Sequence, residues 1–314
     1  MESIDLFVAK GQQAVDGCEL RTWHNAGGVD WYSGIYWETP MRGRENLPVV
    51  DRREIETGLR SLGLPCGAVV LTHSSLRSLG NVIGGADAVI DAIMEVIGPK
   101  GTLVVPTLTF EGFEKAGRRF DARTQPSESG LVTEKLRLRR EARRSLHPLS
   151  SAAALGADAE SITAHHEDTP CGPGSPYWEV WRREGHTLFI GVEFACNSLF
   201  HVAEEVAAPA YLTYDFESDV AVTDCGGNVR AGSYRRYACG RLGIVRYLGK
   251  LGQVYVNAGV VRTTPIGAAS VRLVPAKDNV QLAVDVLRRN PEWILEPESL
   301  PLSEPLESNA NRSG

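Results

Sequence analysis

Ala68-Val69-Val70-Leu71-Thr72 runs into His73-Ser74-Ser75-Leu76-Arg77-Ser78. Then come Gly84-Gly85, the apolar stretch Ala86 to Ile97, Gly98-Pro99, and Gly101-Thr102-Leu103-Val104-Val105. The first run is short, unbroken and β-branched, as a buried strand is. The glycine pair opens an apolar helix, Gly98-Pro99 stops it, and the second apolar run is another strand, ending in Pro106-Thr107. Strand, loop, helix and strand in that order make a βαβ unit, which requires parallel strands with helices on the sheet faces.

Outward from this unit the chain keeps the same character. Asp51, with Glu54 three positions on, reads as the capping box of a helix reaching Leu62, closed by Gly63. Downstream, 111–129 is charged and irregular. Helices are expected over Leu131 to Arg140 and Asp158 to His165, with a short one carrying Trp178 and Trp181. Thr187 to Val192 reads as a buried strand, and Leu199 to Ala207 as a helix that Pro209 ends. Beyond Pro209 the pattern becomes β-like, most clearly over Val220 to Val222 and Val254 to Val261, before a last helix over Val280 to Arg289. The expected fold is therefore α/β: a largely parallel central sheet with helices on both faces and a β-rich C-terminal portion. Three segments are expected: an aromatic, glycine-punctuated extension over 1–47, with a short helix over Leu6 to Val15; one large domain over 48–296; and a flexible Pro/Glu/Ser-rich tail over 297–314.

The 314 residues are 43% hydrophobic, enough for a sizeable core, and their net charge of −6 argues against nucleic acid as the main partner. Six cysteines (18, 66, 171, 196, 225 and 239) are scattered without a C-x-x-C pair, so reduced thiols and no metal are expected. The first residues show neither a basic segment nor a following apolar one, and no apolar run reaches membrane-spanning length. A cytoplasmic protein with no membrane partner is expected, as monomer or homodimer.

Four polar loops follow strands: His73–Ser78, His147–Ser151, Asp168–Ser175 and Asn197–Glu204. In an open α/β sheet, loops at the carboxyl ends of strands meet in one crevice. His201 stands in the first turn of a helix that follows a strand, and Glu204, three positions on, projects from the same face. A histidine backed by a carboxylate suits proton transfer near neutral pH. Serine hydroxyls and glycine-exposed amides at helix starts suit phosphate or carbonyl oxygens. There is no G-x-S-x-G elbow and no Walker lysine, so Ser74-Ser75 reads as a binding loop rather than a nucleophile. His165-His166 reads as a surface pair.

Five blocks in order, Thr72 to Ala86, Gly98 to Thr107, His147-Pro148, Gly174-Ser175-Pro176 and Asn197-Ser-Leu-Phe-His-Val-Ala-Glu204, resemble the aminoglycoside 3-N-acetyltransferase family over roughly 50–295. The resemblance implies the antibiotic N-acetyltransferase fold, acetyl-CoA or another acyl-CoA as donor, and an amine-bearing small molecule as acceptor. It implies that His201 is the catalytic base, Glu204 its acidic companion, and Ser198, where members usually carry threonine, an oxyanion donor. His73, Ser74, Ser75, Leu76, Gly84, Gly85, Thr107 and Ser150 are expected to bind coenzyme A, and Asp168 and Glu204 to hold the acceptor. Many members have an aspartate where Ala195 stands, so Glu193 or Glu204 must orient His201. An N-acyltransferase of a biosynthetic intermediate is the alternative. Two further readings remain: a zinc hydrolase built on His-Val-Ala-Glu-Glu (201–205), which has lost the last histidine of an H-x-x-E-H motif, and a non-catalytic coenzyme A-binding relative.

Overall fold

The computed structural model of the protein describes residues 47–166 and 168–295, with two short strands nearer the amino terminus, β1 (Glu19–Arg21) and β2 (Tyr36–Glu38). The expected helix over Leu6 to Val15, the rest of the extension 1–47 and the tail 297–314 lie outside the described residues.

From Val49 the chain forms β3 (Val49–Val50), α1 (Arg52–Ser61), β4 (Val69–Ser74), α2 (Leu76–Leu79), β5 (Asn81–Val82), α3 (Gly85–Ile97) and β6 (Thr102–Pro106). The Asp51 N-cap is present, with Oδ1 accepting from the Glu54 amide at 2.8 Å, and Ile55 and Leu59, four apart, are the buried face of α1. Glu54 does not close the box: its carboxylate accepts from the Gly267 amide at 3.1 Å. Strand β4 runs two residues past the expected Thr72, so His73 and Ser74 belong to the sheet. Its side chains alternate between two cores. Val69 and Leu71 enter one core, with Tyr177, Phe189 and Phe200, and Val70 enters the one beneath α1 and α3.

The next section holds α4 (Phe110–Lys115), β7 (Arg119–Asp121), α5 (Leu131–Arg137), β8 (Arg143–Arg144), β9 (Ala152–Gly156), α6 (Ala159–Thr163), α7 (Pro176–Arg182) and β10 (His186–Ile190). It is followed by α8 (Leu199–Ala207), β11 (Tyr214–Thr223), β12 (Val229–Tyr237), α9 (Leu251–Asn257), β13 (Arg262–Ile266), β14 (Ala269–Pro275) and α10 (Ala276–Arg289). The central sheet has seven strands in the order β13-β14-β10-β4-β6-β9-β8. Its middle, β10-β4-β6, is parallel, as the βαβ unit requires, while the outer strands are added antiparallel through the β8/β9 and β13/β14 pairs.

Two stretches depart from expectation. Val254 to Val261 is not β-like: α9 covers Leu251–Asn257, because Leu251 and Tyr255, one helical turn apart, are the buried residues, while Val256 faces solvent. The charged stretch 111–129 contains β7, which pairs parallel with β11 from far along the chain. With β12 they form a separate three-stranded sheet whose small core, around Phe113, Phe120, Val222 and Tyr234, sits against Leu149. Two excursions, one after β6 and one after α8, thus build a wall over the same edge of the central sheet. Among the described residues, no helix is long and apolar enough to cross a membrane.

Candidate active site

Parallel β4, β6 and β10 end at Ser74, Pro106 and Ile190, on one edge of the sheet. Antiparallel β9 begins at that edge, since Ala152 lies opposite Pro106. The loops around Ser150 and Ser198 therefore converge there, where open α/β sheets bind ligands. An open cleft lies at this edge, lined by Ser150, Ser198, His201, Cys171 and, from the added wall, Leu108 and Tyr237.

The segment leading into α8 is tied down by a buried amide pair. Asn197 Nδ2 donates to Asn279 Oδ1 at 2.8 Å, Asn279 Nδ2 returns a bond to Asn197 Oδ1 at 3.2 Å, and Tyr255 and Thr187 complete the network. This fixes the start of α8 and hence His201. The His201 ring meets Glu204 on its inner side, with Nδ1 and Oε2 2.6 Å apart. Glu204 is fully buried and accepts two further bonds from Arg246 Nη1, at 2.9 and 3.1 Å. Nδ1–H donates to the carboxylate, so Nε2 carries the ring's lone pair. Burial pulls the His201 imidazole below its ordinary value, an effect that Glu204 offsets in part, so the ring is a neutral base at neutral pH. Burial alone would push the Glu204 carboxyl up. Arg246 and His201 outweigh it and hold Glu204 ionised.

The question raised by Ala195 is thereby resolved in the geometry. Glu193 is engaged with Arg272 at 3.0 Å, and Glu204 meets the imidazole. Because both Glu204 oxygens are taken up behind His201, the carboxylate does not present itself to a ligand as expected for an acceptor contact.

His73 lies buried in β4, stacked on Phe189, and its Nε2 accepts from the Ser198 amide at 3.4 Å. Burial drives its imidazole down to about 3, so it is a fixed neutral acceptor. Ser150 donates its amide to His147 Nδ1 at 3.1 Å. Ser74, Ser75, Leu76, Gly84 and Gly85 form a second group, around α2 and the start of α3. Ser75 is knitted to the end of β10 through its amide and through Ser78, and the Ser74 hydroxyl is buried with no hydrogen-bond partner. Gly84 and Gly85 both have positive φ (82° and 59°), and a side chain at Gly85 would meet nothing within 4 Å, which leaves the first amides of α3 approachable.

Two expected site residues sit elsewhere. Thr107 is fully buried in a network with Ser151 and the guanidinium of Arg144. Asp168 is on the exposed rim, paired with Arg235 at 2.9 Å. His166 corrects the surface reading of the histidine pair. It is buried, its ring 4.9 Å from that of His147, with Ser145 and the Pro170 carbonyl on its two nitrogens.

Arg246 and Tyr237 were not singled out in the sequence. Tyr237 places its ring 5.3 Å from that of His201 and donates its hydroxyl to Glu205 at 2.9 Å. Neither residue belongs to a local motif, and only the packing of the second excursion brings them to α8. Among the described residues, no group of three or more His, Cys, Asp or Glu side chains is arranged to hold a metal ion.

Known proteins share this architecture over most of the described residues. The family model described as aminoglycoside 3-N-acetyltransferase matches residues 71–288. The chain is similar to aminoglycoside N(3)-acetyltransferase VII of Streptomyces paromomycinus, 33% identical over 204 residues (59% of this chain, 70% of that protein). It is also similar to aminoglycoside N(3)-acetyltransferase IV of a Salmonella species, 30% identical over 251 residues (78% and 90%). The crystal structure of aminoglycoside acetyltransferase AAC(3)-Xa superposes with a TM-score of 0.69 at 30% identity, covering 77% of this chain and 93% of that one. The matched span takes in β4 from Leu71 on with His73, all of β6 and β10, the start of α3 and the whole of α8, and the chain belongs to the aminoglycoside 3-N-acetyltransferase family.

Proposed function

We propose that the protein transfers an acetyl group from acetyl-CoA to an amine of an aminoglycoside or related amino-sugar acceptor, within one catalytic unit over 48–296. The observation that carries this reading is the Arg246–Glu204–His201 chain, which brings a neutral imidazole to the cleft wall in a member of this family. The names of its relatives supply the aminoglycoside acceptor and the acetyl group.

An ammonium has no lone pair, so the acceptor nitrogen must be deprotonated before it attacks a thioester. His201 Nε2 takes that proton, an effect of about 10²–10⁴ in rate. The amine nitrogen then bonds to the acyl carbon, and Ser198 stabilises the oxyanion. As the carbon–sulfur bond breaks, His201 passes the proton to the departing thiolate and the acylated nitrogen sheds its second proton to solvent, giving an amide, free coenzyme A and one released proton. Glu204 holds the Nδ1–H tautomer and stabilises the imidazolium formed in the first step. For the donor, the open amides at Gly84-Gly85 fit the phosphate and amide oxygens of coenzyme A. The five cysteines of the described residues are free, which, with the need for acyl-CoA, favours the cytoplasm.

The test is a transfer assay that pairs several acyl-CoA donors with a library of amines and follows thiol release. Acceptor-dependent release with acetyl-CoA is expected; none with any amine would refute the reading.

A further inference from the structure

The open cleft beside His201 is apolar on most of its walls. Leu108, Tyr177, Ala195 and Leu248 line it with the Cys171 thiol, and no Asp, Glu, Lys or Arg is among its lining residues. Several of its polar groups are committed elsewhere. The Asn197 amide is bonded to Asn279 and Tyr255, the Tyr237 hydroxyl donates to Glu205, and burial holds the Cys171 and Cys196 thiols neutral. That leaves Ser150, Ser198 and the imidazole of His201 as the polar groups of the cleft. Carboxylates stand outside the lining: Glu205 beside Tyr237, and Asp168 on the exposed rim.

An ammonium drawn into this cleft finds no counter-charge to offset its desolvation. A multiply charged acceptor therefore keeps its other ammoniums outside and reaches in with the reacting amine alone. The space within the cleft is ≈160 Å³, and a cavity of about 150 Å³ takes a whole benzene ring. An acetyl group fills only a small part of it. Granting the acyl-transfer reading above, we propose that this space is an acyl pocket, through which the protein takes linear acyl groups of up to about six carbons from coenzyme A. Ala195 sets the length. It has the smallest side chain of the lining, so the room beside it exists because nothing bulkier stands there. The chemistry is unchanged: the amine nitrogen bonds to the acyl carbon, the carbon–sulfur bond breaks, and only the chain behind the carbonyl grows.

The experiment measures kcat/KM for acetyl-, butyryl-, hexanoyl- and decanoyl-CoA, with a polyamino aminoglycoside such as kanamycin as acceptor at one fixed concentration. For wild type, kcat/KM is expected to rise by about two- to fourfold for each methylene buried, up to about six carbons, and to fall for decanoyl-CoA. Ala195→Leu should lower the hexanoyl-to-acetyl ratio of kcat/KM by at least about tenfold, and the smaller Ala195→Val should lower it less. A kcat/KM that falls from acetyl- to butyryl-CoA would overturn the proposal, because the pocket would then be closed to the chain. A value flat across the series would overturn it too, because the chain would then lie in solvent. So would a ratio unchanged in both Ala195 variants. Transfer from none of these donors is a separate outcome, which refutes the acyl-transfer reading itself and the pocket with it.

Discussion

Glu204→Gln perturbs the Arg246–Glu204–His201 chain with almost no change in volume. The carboxylate is fully buried and accepts three charge-assisted contacts, at 2.6 Å from His201 and at 2.9 and 3.1 Å from Arg246. An amide oxygen can keep one of them but not the charge. The Arg246 side chain is only 11% exposed, so its guanidinium loses a buried counter-charge. That costs about 3–5 kcal/mol, a large part of a typical domain stability of about 5–15 kcal/mol. Catalysis suffers separately, since the Nδ1–H tautomer loses its acceptor and the imidazolium its counter-charge. A fall of about 10²–10³ in kcat is expected, within the range of general-base catalysis. The sign for pH follows: Glu204 favours imidazolium, so without it the acid limb of kcat/KM moves to lower pH. Thermal melting and thiol release, measured side by side, separate the two effects when Arg246→Met is added. Removing both ions should restore much of the stability, while kcat stays low. If the double variant regained rate together with stability, Glu204 would be a structural residue and the proposed relay would be wrong.

Ser198→Ala should lower kcat by about 10²–10³ if its hydroxyl meets the oxyanion, with little change in thermal midpoint; a rate within a factor of about three of wild type removes it from that role. Gly85→Val places a side chain at φ 59° over the start of α3 and should raise the KM for acetyl-CoA more than that for the amine. The reverse pattern would assign this loop to the acceptor. Acid should destabilise the fold through His73, His147 and His166, buried neutral with folded values of about 3, about 4 and well below 6.5. Because the unfolded chain binds protons first, their contribution is intact above about pH 6.5 and lost as pH falls toward the folded values. At about 1.4 kcal/mol per pH unit at full slope and half that at pH 6.5, His73 and His147 alone give a loss of roughly 3 kcal/mol between pH 6.5 and pH 5, and His166 adds to it in the same direction. Denaturant midpoints that differ by less than about 1 kcal/mol across that range would contradict it.

What could be read from the sequence was what is local. Apolar runs punctuated by glycine and proline marked β4, α3 and β6, and the Asp51 cap and the Leu199–Ala207 helix lie where the pattern put them. His201 and Glu204, three residues apart on one helix, needed nothing but helical geometry to be paired. Arg246 and Tyr237 carry no such signal. They come from 42 residues beyond Glu204 and 36 residues beyond His201, and reach the site only because β7 and β11, a hundred residues apart in sequence, meet in one small sheet. A two-residue β8 and a three-residue β7 are too short for periodicity to register. Thr107 shows the opposite failure. It sits in a family-like block, but its hydroxyl is committed to Arg144 and Ser151, partners that no local pattern reveals.

The central claim, that His201 is the base of an acyl transfer to an amine, is tested most directly by His201→Gln. The rate of acetyl transfer and the calorimetric affinity for coenzyme A should be measured on the same preparation. The account predicts a rate lower by about 10²–10⁴ with coenzyme A affinity within about twofold of wild type, because the imidazole acts on the acceptor and not on the donor. A variant that keeps more than about a tenth of the wild-type rate would contradict it.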